Sequence, residues 1–466
     1  MLILLASIPT NADPDLWGNL RFGLDILATR QITTDDPYSF TQDIPWVNHE
    51  WLAQVVMAAV YSLGGSTALI LLKSGMVLTT LWLVRGALAG ARGLLPEAGA
   101  LLVLWAALPI TLTFRAQLWS FLFLALLCRM LLASPQRVRW APLLMVIWVN
   151  SHMGWVIGLA VLAWWGIGVV VRERGRARTE AVVIVALSAL ATLINPYGLH
   201  LWDFATGVTH LSRRLQEWQP LWTSPVINWI PSLIAATLAI AALLRPPRLP
   251  FERAAALAGL AYVASQVHKF TPLFVELTVL FLAPLARAHF PAGAPAPTAT
   301  LTFRRANAVA LGVIAVMVAV TSWPRLQCLP SSADWRPDAT VARALLDTNP
   351  VGRMAVWFNW GEYAIWHFGP RLKVSFDPRY DLVYSPETID EQENVARGTP
   401  KGTAFLARTR PEYIWYPQSK TELRAWVPDN GYRIDVETGE SFLAVRSDLQ
   451  VVRQPAVQTF GCFPAP

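Results

Sequence analysis

The chain is poor in charge. Of its 466 residues, 15% are Asp, Glu, Lys or Arg, while 54% are hydrophobic. Soluble domains carry about a quarter charged residues, so the deficit argues against an ordinary soluble protein. Nucleic acid is also excluded as a partner. The net charge is +7, but the basic excess lies in short loops between apolar runs rather than in one patch. Cysteine is scarce, with three residues. Cys128 sits inside an apolar run and reads as an inert core thiol. Cys328 and Cys462 bracket the C-terminal region, where an oxidising compartment would allow them to pair; the sequence leaves pairing open. A glycine-rich phosphate loop is missing as well, because Gly361 stands alone, so nucleotide binding is not indicated.

What the chain does have is apolar runs, at roughly 65–84, 97–114, 116–133, 140–150, 153–171, 180–195, 226–244, 251–268, 270–286 and 306–323. Such a series predicts a polytopic α-helical membrane protein of about 10–11 transmembrane helices. The run 140–150 is short for a span, but removing it breaks the charge pattern. Taken alternately, one set of loops always carries arginine: Arg85 and Arg92, then Arg137 and Arg139, then Arg172 to Arg178, then Arg245, Arg248 and Arg253, then Arg287, Arg304 and Arg305. Arginine marks that set as cytoplasmic. The other set, with everything after 323, then lies outside. The chain also holds 22 Trp, many beside the ends of apolar runs, where indole rings anchor at the headgroups. Met1 to Pro9 is apolar, too short to span and without the basic stretch of a signal peptide; it reads as the tail of a first span.

The expected division is a transmembrane domain over 1–323, with its first outer loop at 11–50, and an outer soluble α/β domain over 324–466. The second region holds 16 Lys+Arg and 17 Asp+Glu, a soluble balance. Short β-like runs at 354–358, 373–377, 413–416, 432–436 and 442–445 alternate with helical stretches near 338–347, 361–368, 386–397 and 420–427. Residues 291–298 read as a linker rich in Pro and Ala.

Polar residues gather on the outer side. Loop 11–50 carries Asp13, Asp15, Asp25, Asp35, Asp36, Asp43 and Glu50. Leu16, Leu20, Leu24 and Leu27 recur at helical spacing, which predicts an amphipathic helix on the membrane surface. Asp13 and Asp15 precede it, where carboxylates suit a helix N-terminus. Asn48, His49 and Glu50 form a second cluster. The later outer loops hold Arg115, His152, His200, His210, Arg213, Arg214, Glu217, His268 and Lys269. Cations at headgroup level suit a lipid-linked phosphate, and a carboxylate can take a proton from an acceptor hydroxyl. In the C-terminal region, Trp357–Trp366 and Asp377-Pro-Arg-Tyr-Asp381 read either as a core helix plus a turn or as an acceptor-binding surface. Its candidate residues are Trp360, Glu362, Tyr363, Asp377 and Arg379.

These residues resemble the GT-C superfamily of polyprenyl-phosphate-dependent glycosyltransferases. Asp15, Asn19 and Arg21 are similar to the first-loop motif of the oligosaccharyltransferase catalytic subunit. Trp357 to Tyr363 is a loose echo of the aromatic motif that opens that subunit's C-terminal domain. A group of bacterial multi-spanning proteins is closer in pattern: Asp13–Trp17, Asn48–Trp51, Asn150–Gly154 and Asn195–Gly198 match its Asp-Pro-Asp-x-Trp, Asn-His-Glu-Trp, Asn-x-His-x-Gly and Asn-Pro-Tyr-Gly. The resemblance implies a glycosyltransferase of the plasma membrane. It would move a sugar from a polyprenyl-phosphate donor to a glycolipid, polysaccharide or protein acceptor on the outer face. Asp15 is the first candidate for general base and Asp13 the second. Arg21, His49 and Glu50 would hold and orient the first loop. Arg115, His152, Arg213, Arg214, Glu217, His268 and Lys269 would serve the donor. A divalent metal is one possible cofactor, although no second-loop Asp-x-Asp pair is present. The alternatives are a non-catalytic binding protein with the same fold, or a transporter. A transporter would carry ionisable groups deep in its spans, and Lys73 and Arg129 are the clearest of few.

Overall fold

The computed structural model describes residues 9–133, 135–207, 216–292, 326–331, 335–452 and 462–465, with scattered positions between 309 and 323. The segments 1–8, 208–215 and most of the run at 306–323 lie outside the described residues, as does the linker from 293 on. The chain forms two compact units. The first comprises 1–10 and 67–327, and the second comprises 11–66 and 328–466. The first outer loop therefore belongs with the C-terminal region, whereas the expected boundary at 323/324 left it with the membrane part.

In the first unit the apolar runs are helices: α2 (Trp51–Ala87, which begins in the second unit), α3 (Leu95–Thr111), α4 (Gln117–Ala133), α5 (Ala141–Val149), α6 (Trp155–Arg172), α7 (Arg176–Ala191), α8 (His200–Gly207), α9 (Ile230–Leu244), α10 (Phe251–Gln266) and α11 (Thr271–His289). Four described helices, Trp51–Ala87, Trp155–Arg172, Val226–Leu244 and His268–His289, are long and apolar enough to cross a membrane. That is fewer than the number of spans expected, for a geometric reason. A helix rises about 1.5 Å per residue against a hydrocarbon core of about 30 Å. Helix α5, with 9 residues, cannot cross alone, and α3 and α4 are shorter apolar helices. The α2 helix is broken at Gly64 and Gly65. Gly65 has φ +58, a conformation that only glycine adopts without strain. The boundary between the units falls immediately after, at Ser66/Thr67.

The second unit is built on a five-stranded mixed sheet in the order β2-β1-β3-β5-β4. Its strands are β1 (Gly352–Val356), β2 (Leu372–Val374), β3 (Tyr413–Pro417), β4 (Tyr432–Glu437) and β5 (Ser441–Arg446). β1 runs parallel to β2 and β3; β5 runs antiparallel to β3 and β4. Side chains alternate across the sheet, so Ala355, Ile414, Tyr416, Phe442 and Ala444 share a core with Val395, Phe405, Leu406, Leu423 and Val427. Those partners come from α14 (Pro386–Arg397), α15 (Pro400–Thr409) and α16 (Thr421–Asp429). A further helix, α12 (Ala339–Thr348), is capped by Asp338, whose side chain accepts from the Thr340 N–H. Around Trp415, Trp360 and Tyr363 approach at 4.9 and 5.9 Å between ring centroids. Tyr363 lies on α13 (Gly361–Phe368).

The expected strands and helices are all present within a few residues. Helix α15 is the one that sequence reading omitted. Its start is nonetheless written in Thr399-Pro400: the Thr399 side chain accepts from the Gly402 N–H and Pro400 fills the first turn.

The first loop is woven into this sheet. Helix α1 (Pro14–Thr29) packs on α13. Ser39 pairs with Val374 of β2, where the Val374 N–H donates to the Tyr38 carbonyl at 2.8 Å and Phe40 N–H to the Val374 carbonyl at 3.1 Å. Loop backbone thus covers a sheet edge whose groups would otherwise be unpaired. The Asp43 side chain accepts from the Ser385 N–H at 2.7 Å and the Thr388 hydroxyl at 2.6 Å, next to the start of α14. Cys328 and Cys462 are joined in a disulfide that ties together the ends of the C-terminal segment, while Cys128 is free and buried.

Candidate functional residues

Helix α1 buries Pro14, Leu16, Trp17, Gly18, Asn19, Leu20, Phe22 and Gly23. This corrects the expectation of a membrane-surface helix. The stripe that includes Leu16 and Leu20 is covered by protein, and only Leu27 at its far end is exposed. Close approach explains the glycines. A Cβ on Gly18 would lie 2.2 Å from the Glu362 carboxyl, and one on Gly23 would lie 2.1 Å from the Gln54 carbonyl oxygen. The Gly18 N–H donates to Glu362 Oε2 at 2.9 Å. Burial pushes the Glu362 pKa well up, and the negative charges of Asp15 and Asp377 push it further in the same direction. These surroundings favour the protonated form of Glu362. Asp15, in the first turn of α1, is half-buried, whereas Asp13 is fully buried.

The residues expected to form an acceptor surface are instead interior. Trp360, Glu362, Tyr363, Asp377 and Arg379 are all buried. The correction has a simple cause: α1 and the loop after it cover them. Trp17 packs against Tyr363 at 5.8 Å. Arg379 Nη2 donates to Asp36 Oδ2 at 2.8 Å and Asp377 Oδ2 at 2.7 Å. Its guanidinium faces the rings of Trp46 at 4.9 Å, Phe22 at 5.1 Å and Tyr38 at 5.6 Å. Burial alone would weaken its hold on the proton, and the Asp377 and Asp36 carboxylates more than offset that. Arg21 Nε donates to Asp25 Oδ2 at 2.9 Å, and the Tyr38 hydroxyl donates to the same oxygen at 2.5 Å. His49 and Glu50 lie side by side at 3.5 Å.

Three of the sequence motifs make hydrogen bonds within the fold. Asn48 Nδ2 donates to Gln54 Oε1 at 2.7 Å, and Gln54 Nε2 donates to Asn19 Oδ1 at 3.0 Å, so a chain of amides joins the second motif to Asn19 of α1. In the first unit, Asn150 Nδ2 donates to the carbonyls of Val146 at 2.7 Å and Ile194 at 2.8 Å. Gly154 permits the turn, because a Cβ there would lie 2.1 Å from Ser120 Oγ. Asn195 Oδ1 accepts from the Tyr197 N–H at 2.8 Å in the turn that ends at Gly198. Sequence spacing alone could not distinguish this scaffolding from a binding role.

The cations of the first unit are organised around Glu217. Arg115 Nη1 and Lys269 Nζ each donate to its carboxylate at 2.8 Å. Lys269 also sits 4.9 Å from the Trp218 ring centroid. Burial would raise the Glu217 pKa, but Lys269 and then Arg115 reverse this and bring it down to about 2. Two cations thus meet on one carboxylate, and their side chains remain partly exposed. His268 adjoins Lys269 in sequence, its N–H donating to the Gln219 carbonyl at 3.0 Å. His152 is held in a defined orientation. The Gly154 N–H donates to His152 Nδ1 at 3.0 Å, which makes Nδ1 an acceptor for the Ser120 hydroxyl at 2.7 Å. Trp148 Nε1 donates to that hydroxyl at 2.7 Å. Arg213 and Arg214, with His210, lie outside the described residues. Lys73 is buried in α2 and donates to the carbonyls of Pro9 and Thr111, each at 2.8 Å, so its charge is engaged by backbone. Among the described residues no group of three or more His, Cys, Asp or Glu side chains is placed to hold a metal ion.

The fold has counterparts among solved structures. It is similar to the archaeal oligosaccharyltransferase AglB from Archaeoglobus fulgidus in complex with an inhibitory peptide and a dolichol-phosphate, with TM-score 0.59 and 9% identity, over 89% of this chain and 68% of that one. A second structure of the Archaeoglobus fulgidus oligosaccharyltransferase, tethered to an acceptor peptide containing the NVT sequon, matches over the same shares with TM-score 0.56 and 10% identity. No family model and no curated protein matches the chain.

Proposed function

We propose that this protein is a membrane glycosyltransferase that transfers a sugar from a polyprenyl-phosphate-linked donor to an acceptor on the face opposite the arginine-rich loops. The fold similarity to oligosaccharyltransferases, one of them bound to a dolichol-phosphate, is the observation that carries this reading. The localisation is the plasma membrane, with the second unit extracytoplasmic.

In the reaction, an acceptor oxygen attacks the anomeric carbon while the bond from that carbon to the phosphate oxygen breaks. The acceptor proton passes to a carboxylate, and the negative charge collects on the departing phosphate. Asp15 is given the role of base. It is partly accessible, and its negative charge reaches Glu362, where it favours the protonated form of that acid. Asp13 is sealed from solvent, which favours Asp15 of the two. Arg115, His268 and Lys269 are given the departing phosphate, because guanidinium, imidazolium and ammonium groups suit phosphate oxygens and the side chains of Arg115 and Lys269 are partly exposed. No step is routed through a metal.

The test uses purified full-length protein and a polyprenyl-phosphate sugar. Asp15→Asn is expected to reduce transfer by roughly 100-fold or more while donor binding persists. Unchanged transfer removes Asp15 from the mechanism. Donor binding without turnover in the wild type would favour the non-catalytic alternative.

A further inference from the structure

The first unit contains a cavity of about 280 Å³ lined by Leu83 and Ala87 of α2, Arg129 and Leu132 of α4, and Leu280, Ala283 and Arg287 of α11. Arg129 and Arg287 lie in the last two turns of their helices, and Leu83 and Ala87 near the end of α2. The cavity is thus at the end of the helices where the arginine-rich connections emerge. Along α11, Leu280, Ala283 and Arg287 are spaced three and four apart, so one helix face presents two apolar side chains and then a guanidinium.

Some of the other arginines at this end have carboxylate partners. Arg85 pairs with Glu97 at 3.0 Å, and Arg172 grips Glu252 with two bonds of 2.8 and 2.7 Å. Arg129 and Arg287 have no ion pair or hydrogen bond among the described residues, and no carboxylate lines the cavity. Two like charges sharing a cavity repel, and helix C-termini relieve only a fraction of that. An anion between them would reverse the sign of the interaction. Guanidinium groups are suited to phosphate oxygens, and the other five lining residues are aliphatic. A free phosphate would leave those five walls unused. A phosphodiester joined to acyl chains would use both.

We infer that this cavity binds the headgroup of an anionic phospholipid, with Arg129 and Arg287 on the phosphate and the aliphatic walls against the start of the chains. Basic pockets between membrane helices on the arginine-rich side recognise lipids in this way. The site is separate from the transfer chemistry proposed above and does not depend on it.

Native mass spectrometry of the full-length protein in detergent tests the inference. Phosphatidylglycerol, phosphatidylcholine with the same chains, and inorganic phosphate are added in separate arms. The wild type is expected to retain phosphatidylglycerol over phosphatidylcholine. The double change Arg129→Gln and Arg287→Gln should weaken that retention by roughly 30-fold, and the double change to Lys should keep most of it. Equal retention of the two lipids, or equal phosphatidylglycerol retention by wild type and the Gln pair, overturns the inference. Inorganic phosphate that displaces the lipid at equal concentration overturns the lipid assignment. Should the Gln pair fail to fold, Arg129→Gln alone decides: Arg129 is an exposed side chain, and an unchanged ratio of the two lipids counts against the site.

Discussion

Arg379 and the Arg115–Glu217–Lys269 triad join the same kinds of groups in opposite proportions. Arg379 is one cation between two carboxylates, sealed from water and boxed by three aromatic rings. The triad is two cations around one carboxylate, with each side chain a fifth to a third exposed. The first arrangement has its charge neutralised internally and is closed to solvent. The second leaves its two cations partly exposed to solvent. Sequence reading assigned both to substrate, and burial separates them: one fastens the first loop to the C-terminal sheet, and the other remains partly open to solvent.

The largest test of this contrast is Arg379→Ala. Removing one member of a buried ionic cluster leaves charge without compensation, so the second unit should lose about 3–5 kcal/mol, read by chemical denaturation. Arg115→Ala should lose at most about 1 kcal/mol, because its pair is partly solvated, while weakening donor binding. Equal losses at the two sites would break the comparison.

Next in size is the disulfide. It closes a segment of sequence separation 134, so changing Cys328 and Cys462 to Ser should lower stability by about 2–4 kcal/mol. The loss should appear in the second unit, measured by hydrogen exchange, and leave α6 and α11 unaffected.

Two groups on α13 respond to pH in opposite directions. Burial pushes His367 down to about 4, against the effect of a hydrogen bond to the Pro464 carbonyl. Its unfolded form gains a proton near pH 6.5 and its folded form does not, so stability falls as pH drops from about 6.5 to 4. Glu362 is shifted upward, so its unfolded form loses a proton near pH 4.5 while the folded form keeps it, and stability falls as pH rises. Glu362→Gln can still accept from the Gly18 N–H. It should raise the melting temperature at pH 8 relative to pH 5 more than the wild type shows. A flat difference would mean that Glu362 is ionised in the fold.

The smallest effect belongs to Glu217. Its folded pKa of about 2 is below the ordinary value, so its contribution is complete above about pH 4.5 and fades as pH falls toward 2. Glu217→Gln should remove that acid-dependent part of the melting curve in a pH titration.

Much of the architecture was legible along the chain. Apolar runs at 97–114, 116–133 and 153–171 became α3, α4 and α6, because side chains facing lipid or neighbouring helices must be apolar over a helix's length. The short β-like runs Tyr413–Tyr416 and Phe442–Val445 became β3 and β5, continuous apolar stretches that suit strands buried on both faces. The site was less legible. A leucine stripe such as Leu16 and Leu20 looks the same whether lipid or protein covers it, and Asn19, Asn48 and Gln54 reveal their amide chain only when three turns of backbone meet.

The sequence by itself determined that this is a membrane protein with a mixed α/β region at its C-terminal end, since both follow from local periodicity and composition. Only the tertiary structure decided that residues 11–66 belong with that region, that Asp13 is buried while Asp15 is not, and that Glu362 is held against Gly18. Those facts depend on contacts between residues hundreds of positions apart, and burial, which sets the charge state of an acid, is a property of such contacts.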